Sequence, residues 1–490
     1  MPKGPQLNDI SRNFTSRDSL GIEGVATTIQ GEICPVVNTV TPRAFYWPFM
    51  VWIYYDFYKY SGIEEHTVTE FDKYLKRQDY FFVLATLLTP GSDQNNLVGK
   101  QQAQMDIDED QIGPYPFNPK YFKTRYGGMQ YYNAGCLSMY FITDRDPEKD
   151  KDLSFPALRP EGEKMAKAFE AVIKDTEYYK SYRRNDSAVP RSVLEEYGKV
   201  ISFRLNGFDE CKQLLRHYMF EDDRAVQLTS RSTLLTECAD YVRFIINDKG
   251  IKELNGPICR QVFFDRQSPS EEMIVLPERL LPVSNKWEIV VGRMYFTSGI
   301  EMIWKYMLEQ LVDAMSLNEW FHHAFVNADF SWNLNDRVLD HIDECNYDFK
   351  TREGMIAASA RRDTSSYSME NGLKVILSIY NRFKERPDFG DEKSFLNYGI
   401  DTQSISFEEL FKLIESYKAR TVKDLLRYIM KKWLVEQHYI TAFEKMLQGR
   451  DGFYYELIDD KYVRKYDFGM AFQGIRMIQL SQVMRDLDML

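Results

Sequence analysis

The sequence is poor in the side chains that most often carry chemistry. Its 490 residues include six cysteines and six histidines. The cysteines (Cys34, Cys136, Cys211, Cys238, Cys259 and Cys345) form no C-x-x-C pair and are too sparse for a secreted disulfide framework, so free thiols in a reducing cytoplasm are expected. The histidines (His66, His217, His322, His323, His341 and His438) make no H-E-x-x-H, and no Cys/His spacing matches a zinc site, so no metal is expected. No G-x-G-x-x-G occurs. Gly91 to Lys100 ends in Gly-Lys, but its first glycine is misplaced and Gln101 stands where a phosphate loop needs a hydroxyl. Nucleotide hydrolysis and a bound cofactor are therefore not expected. A G-x-S-x-G elbow is also missing, which removes support for a serine nucleophile. The greasiest run, Ala44 to Tyr55, has twelve uncharged residues, contains Pro48 and is followed by Asp56. A membrane span needs about 20 residues, so this run reads as a buried helix. The first thirty residues lack the apolar stretch of a signal peptide.

What the chain does have is aromatic and helical. There are 32 Phe, 32 Tyr and 7 Trp, and 62 basic against 73 acidic residues give a net charge of −11. With 44% hydrophobic and 28% charged residues the composition is that of a globular protein, and its length suits about three domains. Net acidity argues against a general nucleic-acid coat. Helical periodicity is the strongest pattern. One stripe runs through Ile300, Ile303, Trp304, Met307, Leu308, Leu311, Val312 and Met315, and others through Leu235 to Ile246 and Leu373 to Phe383. Ser406 and Glu409 have capping-box spacing, and a long helix is predicted from about Val422 to Leu447 with Gly449 at its C-terminal cap. Strands are few: Val200 to Leu205, Val262 to Phe264, Met273 to Leu276, and a hairpin of Phe453 to Ile458 and Tyr462 to Tyr466 about an Asp459-Asp460 turn. Exposed connections are read at Asp144 to Pro160 and Arg266 to Lys286. The expected fold is mainly α and multidomain, with a few short strands. It divides into an aromatic-rich helical domain (1–155), a central mainly helical domain (156–280) and a C-terminal helical domain (281–490). The last ends in a helix-hairpin-helix compatible with a winged-helix-like module, or with a hairpin packed for stability alone.

Several constellations carry the residue types of a chemical site. The run Asp106, Asp108, Glu109, Asp110 lacks the glycine and glutamate of a calcium loop and reads as a solvated acidic loop. Asp336, Asp340, Asp343 and Glu344 would share one helical face beside His341 and could hold a hard cation, or could simply be the polar face of an amphipathic helix. Asp451 and Asp459-x-Lys461 have the letters of a nuclease motif, but Asp459 sits at the predicted turn. Two patches mix cations with aromatics in a way that suits phosphates and stacked bases. One is Lys120, Lys123, Arg125 and Tyr126, and the other is Lys180, Arg183 and Arg184. Arg361 and Arg362 lie in a Ser/Ala/Thr-rich stretch suited to an acidic partner, and the crowded aromatic helix with Trp47 and Trp52 offers more faces than one helix buries, which points to docking on another subunit.

Arg17-Asp18-Ser19-Leu20-Gly21, then Thr39 to Tyr46, Leu158-Arg159-Pro160-Glu161-Gly162 with Met165-Ala166 and Ala168-Phe169, and finally Arg476, Gln479-Leu480 and Asp486-Leu487 form scattered blocks across the chain. Together they resemble a loose pattern in poorly characterised bacterial proteins encoded in multi-gene phage-defence loci. That resemblance supplies no catalytic residue. It implies a cytoplasmic bacterial protein working with an ATPase, helicase or nuclease from neighbouring genes. The sequence therefore leads to a non-catalytic adaptor or sensor subunit that binds protein partners and contacts DNA or RNA. The alternatives are a divergent metal-dependent nuclease and a winged-helix DNA-binding regulator.

Overall fold

The computed structural model describes residues 18–61, 68–107, 113–122, 127–143, 157–222, 231–360, 368–386 and 405–490. The protein is mainly helical, with one two-stranded sheet among the described residues. The helices that matter below are, in chain order, α1 (Glu23–Ile33), α2 (Tyr46–Ser61), α3 (Val68–Leu88), α4 (Pro160–Ile173), α5 (Arg191–Val200), α6 (Leu281–Glu309), α7 (Phe349–Ala360), α8 (Ser368–Phe383), α9 (Phe407–Tyr417), α10 (Gln437–Leu447) and α11 (Arg476–Asp486). The chain forms two compact units. The N-terminal unit holds Gly31–Gly256 with Ile475–Leu490, and the C-terminal unit holds Met1–Gln30 with Pro257–Gly474. Each thus borrows a segment from the far end of the chain, which no local composition shift announces.

In the N-terminal unit α2 packs on α4 and α3 on α5. Pro48 falls in the first turn of α2, where a missing N–H costs nothing. The core is aromatic: the Phe45 and Phe82 rings stack at 4.7 Å, and Phe169 and Phe203 meet Phe45 edge-on at 5.6 and 5.7 Å. Trp47 and Trp52 are 0% exposed within it, so the partner-facing role expected of them is corrected: the extra faces of α2 are consumed by its own unit. The returning α11 is fixed by Arg476, whose Nη1 donates to the carbonyls of Cys34 (3.1 Å) and Val37 (2.8 Å).

The C-terminal unit is built on α6, 29 residues long and buried along almost its entire length, with α8 as its main neighbour. Their crossing is set by glycine. A Cβ on Gly372 would lie 2.6 Å from the Gly299 carbonyl oxygen, and one on Gly299 would lie 2.9 Å from the Gly372 oxygen. The capping box ahead of α9 is present in both directions, Ser406 N to Glu409 Oε2 at 2.8 Å and Glu409 N to Ser406 Oγ at 3.0 Å. The expected long helix exists as α-turns of Val422–Tyr428, a π-helical stretch of Ile429–Glu436, and α10. It ends in a Schellman motif, with Gly449 at φ 76°, Gly449 N donating to Met446 O (2.9 Å) and Arg450 N to Lys445 O (3.0 Å). The hairpin pairs β1 (Tyr455–Ile458) with β2 (Lys461–Arg464) in the register Tyr455↔Arg464. Asp459 and Asp460 at φ 49° and 59° make the two-residue turn that matches strand twist.

The other strand expectations are corrected. Val262 to Phe264 lie in a buried π-helical segment continuing the Gly256–Arg260 helix, residues 201–205 form turns, and Met273 makes only an isolated bridge to Gln267. Short apolar runs do not by themselves distinguish a strand from a buried helical turn. The 266–286 connection is also shorter than read, because α6 begins at Leu281.

Because both partners at the α6–α8 crossing are backbone, Gly372→Val should lower the unfolding free energy of the protein by about 1–3 kcal/mol in urea denaturation. An unchanged midpoint would mean that the two helices are not in van der Waals contact there.

Candidate functional site

The feature that stands out in the C-terminal unit is a helix turned inside out. On α10 the buried positions are His438, Thr441 and Ala442, while Tyr439, Ile440, Phe443, Met446 and Leu447 are 41–71% exposed. The spacing i, i+1, i+4, i+7, i+8 places these five on one helical face. The rings of Tyr439 and Phe443 stack at 6.2 Å, and Phe453 meets Tyr439 edge-on at 6.0 Å. Leu457 and Ile458 at the end of β1 are also more than half exposed.

The inward face explains the arrangement. His438 Nδ1 donates to the Ser19 carbonyl (3.0 Å), its Nε2 accepts the Tyr454 backbone N–H (3.0 Å), and its ring packs against Trp304 of α6 at 5.0 Å. Burial lowers its pKa to about 4, so the ring is neutral at pH 7 and fully satisfied. Lys445 donates to the Asp18 carbonyl, and burial lowers its pKa. Asp18 caps α1 through Ile22 N (2.8 Å), Glu23 N (3.1 Å) and Gly24 N (3.0 Å). With its hydrogen-bonding side spent inside, α10 turns its apolar side out.

Beneath this lies a buried acid pair. Glu301 of α6 is 5% exposed and hydrogen-bonded to Glu23. Burial, then the Glu23 charge, pushes the Glu301 carboxyl well up, and burial, then the Asp18 charge, raises Glu23 as well. The pair therefore shares one proton through the hydrogen bond between the two carboxyls. Beside Glu301 a cavity of about 250 Å³ is walled by Arg260, Glu353 and Phe472. Arg260 meets Glu353 through two bonds (2.7 and 2.6 Å), Tyr295 Oη donates to Glu353 (2.8 Å), and the guanidinium stacks on Phe472 at 3.6 Å. These charges satisfy one another, and Ser298, which also lines the cavity, donates its hydroxyl to the Met294 carbonyl (3.0 Å).

The residues singled out from sequence are dispersed. Lys120 is exposed on a turn, while Lys123, Arg125 and Tyr126 lie outside the described residues, as do Arg361 and Arg362. Lys180 donates to the Asp175 carbonyl (2.7 Å). Arg183 and Arg184 turn inward to the fully buried Asp56, at 3.4 and 2.8 Å, and Arg183 also stacks on Tyr179 at 3.7 Å. Their charge is largely spent compensating a buried carboxylate. The acidic face expected over 336–344 does not form, because helix is confined to Leu339–Ile342. Asp340 pairs with Arg337 (2.6 Å), and His341, stacked on Trp332 at 4.3 Å, lies between Asp336 (3.2 Å) and Glu344 (3.3 Å). Asp451 is held by Lys465 (2.8 Å) and Tyr466 (3.0 Å), while Asp459 occupies the hairpin turn. Among the described residues no group of three or more His, Cys, Asp or Glu side chains could hold a metal ion. All six cysteines are buried as free thiols, and burial pushes Cys211 and Cys345 up to about 12. The outward face of α10 was missed although its letters were visible: Tyr439, Ile440, Phe443, Met446 and Leu447 form a second apolar stripe, out of phase with Leu425, Leu426, Met430 and Trp433 because the π-helical stretch intervenes.

No family model matches the chain, and no curated protein or solved structure is similar to it.

The acid pair makes a prediction with a definite sign. The folded pKa of Glu301 lies above its ordinary 4.5, so the folded state holds the extra proton and its stability declines as pH rises above about 4.5. Glu301→Gln keeps the donor to Glu23 without the titration. The variant should be more stable than the parent at pH 8, with the difference shrinking towards pH 5 in thermal melts. Parallel pH profiles would place the proton elsewhere.

Proposed function

We propose that this chain is a non-catalytic adaptor or sensor subunit of a bacterial multi-protein complex, acting in the cytoplasm in defence against phage, and that it docks a protein partner through the outward face of α10. The observation that carries the reading is the exposure of Tyr439, Ile440, Phe443, Met446 and Leu447 on one helix whose inner face is already pinned by His438 and Lys445. Exposed apolar clusters of this kind mark interaction sites, and two aromatics with flanking Met and Leu are the composition of an interface centre. The occupant that fits is an amphipathic helix of a partner protein, which would lay its own apolar stripe along Tyr439, Phe443 and Met446. The defence setting rests on the resemblance of the scattered sequence blocks and on nothing else.

Support for the non-catalytic side comes from how the reactive groups are spent: thiols buried and raised, Asp340 and Asp451 paired with cations, His438 neutral and satisfied at both nitrogens. The Asp459-Asp460 tip of the hairpin is acidic, which does not favour a wing laid against phosphates.

The test is co-expression with the products of the neighbouring genes. Replacing Phe443→Glu and Leu447→Glu together should leave the thermal melt of the isolated chain nearly unchanged, because both side chains are exposed. It should weaken copurification with the partner about tenfold or more. Undiminished copurification would refute the docking face. Metal-dependent cleavage of DNA or RNA by the purified chain, lost in Asp340→Ala, would refute the adaptor reading altogether.

A further inference from the structure

The N-terminal unit contains a second opening, independent of the α10 face. A cleft of about 740 Å³ lies along α11, lined by Gln479, Gln482 and Arg485 of that helix and by Asn95, Arg204, Glu253 and Leu254 among others. Its size falls in the range of small-molecule sites. Unlike the cavity beside Glu301, its polar groups are not exhausted by one another.

The floor is rigid. Asp486 is 0% exposed and accepts from Arg43 Nε (3.1 Å), Ala44 N (3.1 Å) and Gln482 Nε2 (3.2 Å). Arg43, 1% exposed, also binds Asp93 and the Asn95 carbonyl, both at 3.0 Å, which ties the Asn95 loop to α11. On this floor Gln479 Oε1 is buried without a hydrogen-bond partner. A buried acceptor left in this state costs about 1–3 kcal/mol, and a ligand N–H would recover it. At the rim two guanidiniums keep donors to spare. The exposed Arg204 reaches Asp93 through Nε at 3.4 Å, and Arg485, also exposed, donates from Nη2 to the Lys252 carbonyl. Leu254 and Ile478 contribute apolar surface to the lining.

An anion for two arginines, a flat apolar-faced body, and an N–H donor for Gln479 are together the parts of a nucleotide carrying an exocyclic amino group. We propose that this cleft binds a free nucleoside monophosphate. Its phosphate lies at Arg204 and Arg485, its base rests on Leu254 and Ile478, and its amino group donates to Gln479 Oε1, with the Asn95 carboxamide available to the neighbouring base edge. The recognition is binding only, with no bond made or broken.

The experiment is calorimetric titration of the full chain with AMP, GMP, CMP, UMP, inorganic phosphate and a 5′-phosphorylated tetranucleotide. At least one amino-bearing monophosphate should bind with a Kd below about 1 mM, and UMP, whose base has no exocyclic amino group and donates only from its ring N3–H, should bind about fivefold more weakly or worse. Arg485→Ala, at an exposed position, should weaken binding about tenfold while leaving the melting temperature unchanged. Gln479→Leu should erase the preference over UMP. Failure of all four monophosphates to bind, inorganic phosphate binding as tightly as any of them, or Arg485→Ala without effect would overturn the proposal. Tighter binding of the tetranucleotide than of every mononucleotide would overturn the assignment to a free ligand and assign the cleft to a strand end. Loss of the α10 face by Phe443→Glu and Leu447→Glu should leave these titrations unchanged.

Discussion

A helix buried on nearly all sides must draw partners to the charged groups it carries, and α6 carries several, even though Arg293 Nε and Nη2 and the indole N–H groups of Trp287 and Trp304 stay without a hydrogen bond. Arg293 donates to the Ile405 carbonyl at 3.2 Å and lies over the Phe407 ring, and Lys305 donates to the Ser359 carbonyl at 2.8 Å. Glu301 shares a proton and a hydrogen bond with Glu23. Each of these obligations recruits a different segment: the approach to α9, the end of α7, and the start of α1. Burying a charge without such a partner is expensive, so the constraint organises the C-terminal unit as firmly as its apolar contacts do. The outward character of α10 follows. Trp304 on α6 takes the His438 ring, His438 takes Ser19 and Tyr454, and the side of α10 that faces the unit becomes its polar side.

Local rules were legible in the sequence wherever the physics is local. Ser406 with Glu409, Gly449 after Leu447 and the Asp459-Asp460 turn each satisfy backbone groups within a few residues, so their letters suffice. The burial of Ala44 to Tyr55 was legible from its lack of charge, although the same crowding suggested a partner surface that the Phe45, Phe82 and Phe169 rings in fact provide from within. Long-range pairing was not legible. Arg43 with Asp486 and Ser19 with His438 join residues more than 400 positions apart, and no periodicity encodes such a match. The closure of each unit by a distant segment is illegible for the same reason. The π-helical stretch Ile429–Glu436 defeated the reading of α10, because an irregular turn shifts the phase on which amphipathicity is judged.

The candidate residues teach a related lesson about composition. Arg183-Arg184 beside Tyr178 and Tyr179 has the makeup of a phosphate-binding patch, yet Asp56, invisible as a neighbour in sequence, draws both guanidiniums inward. Asp340 and His341 have the makeup of a metal site, yet Arg337 and Trp332 take them up separately. In both cases the decisive partner is a single side chain of opposite charge or an aromatic face. The apolar face of α10 and the polar groups along α11 are the two places where recognition is put.

Side-chain oxidation footprinting tests the central claim most directly, because Tyr439, Phe443 and Met446 are all oxidisable and all on the face in question. In the isolated chain these residues should be modified readily, and in the complex assembled with the neighbouring gene products they should be protected together while the buried Trp304 and Tyr455 stay unreactive in both. Equal modification of α10 in free and assembled protein would contradict the account.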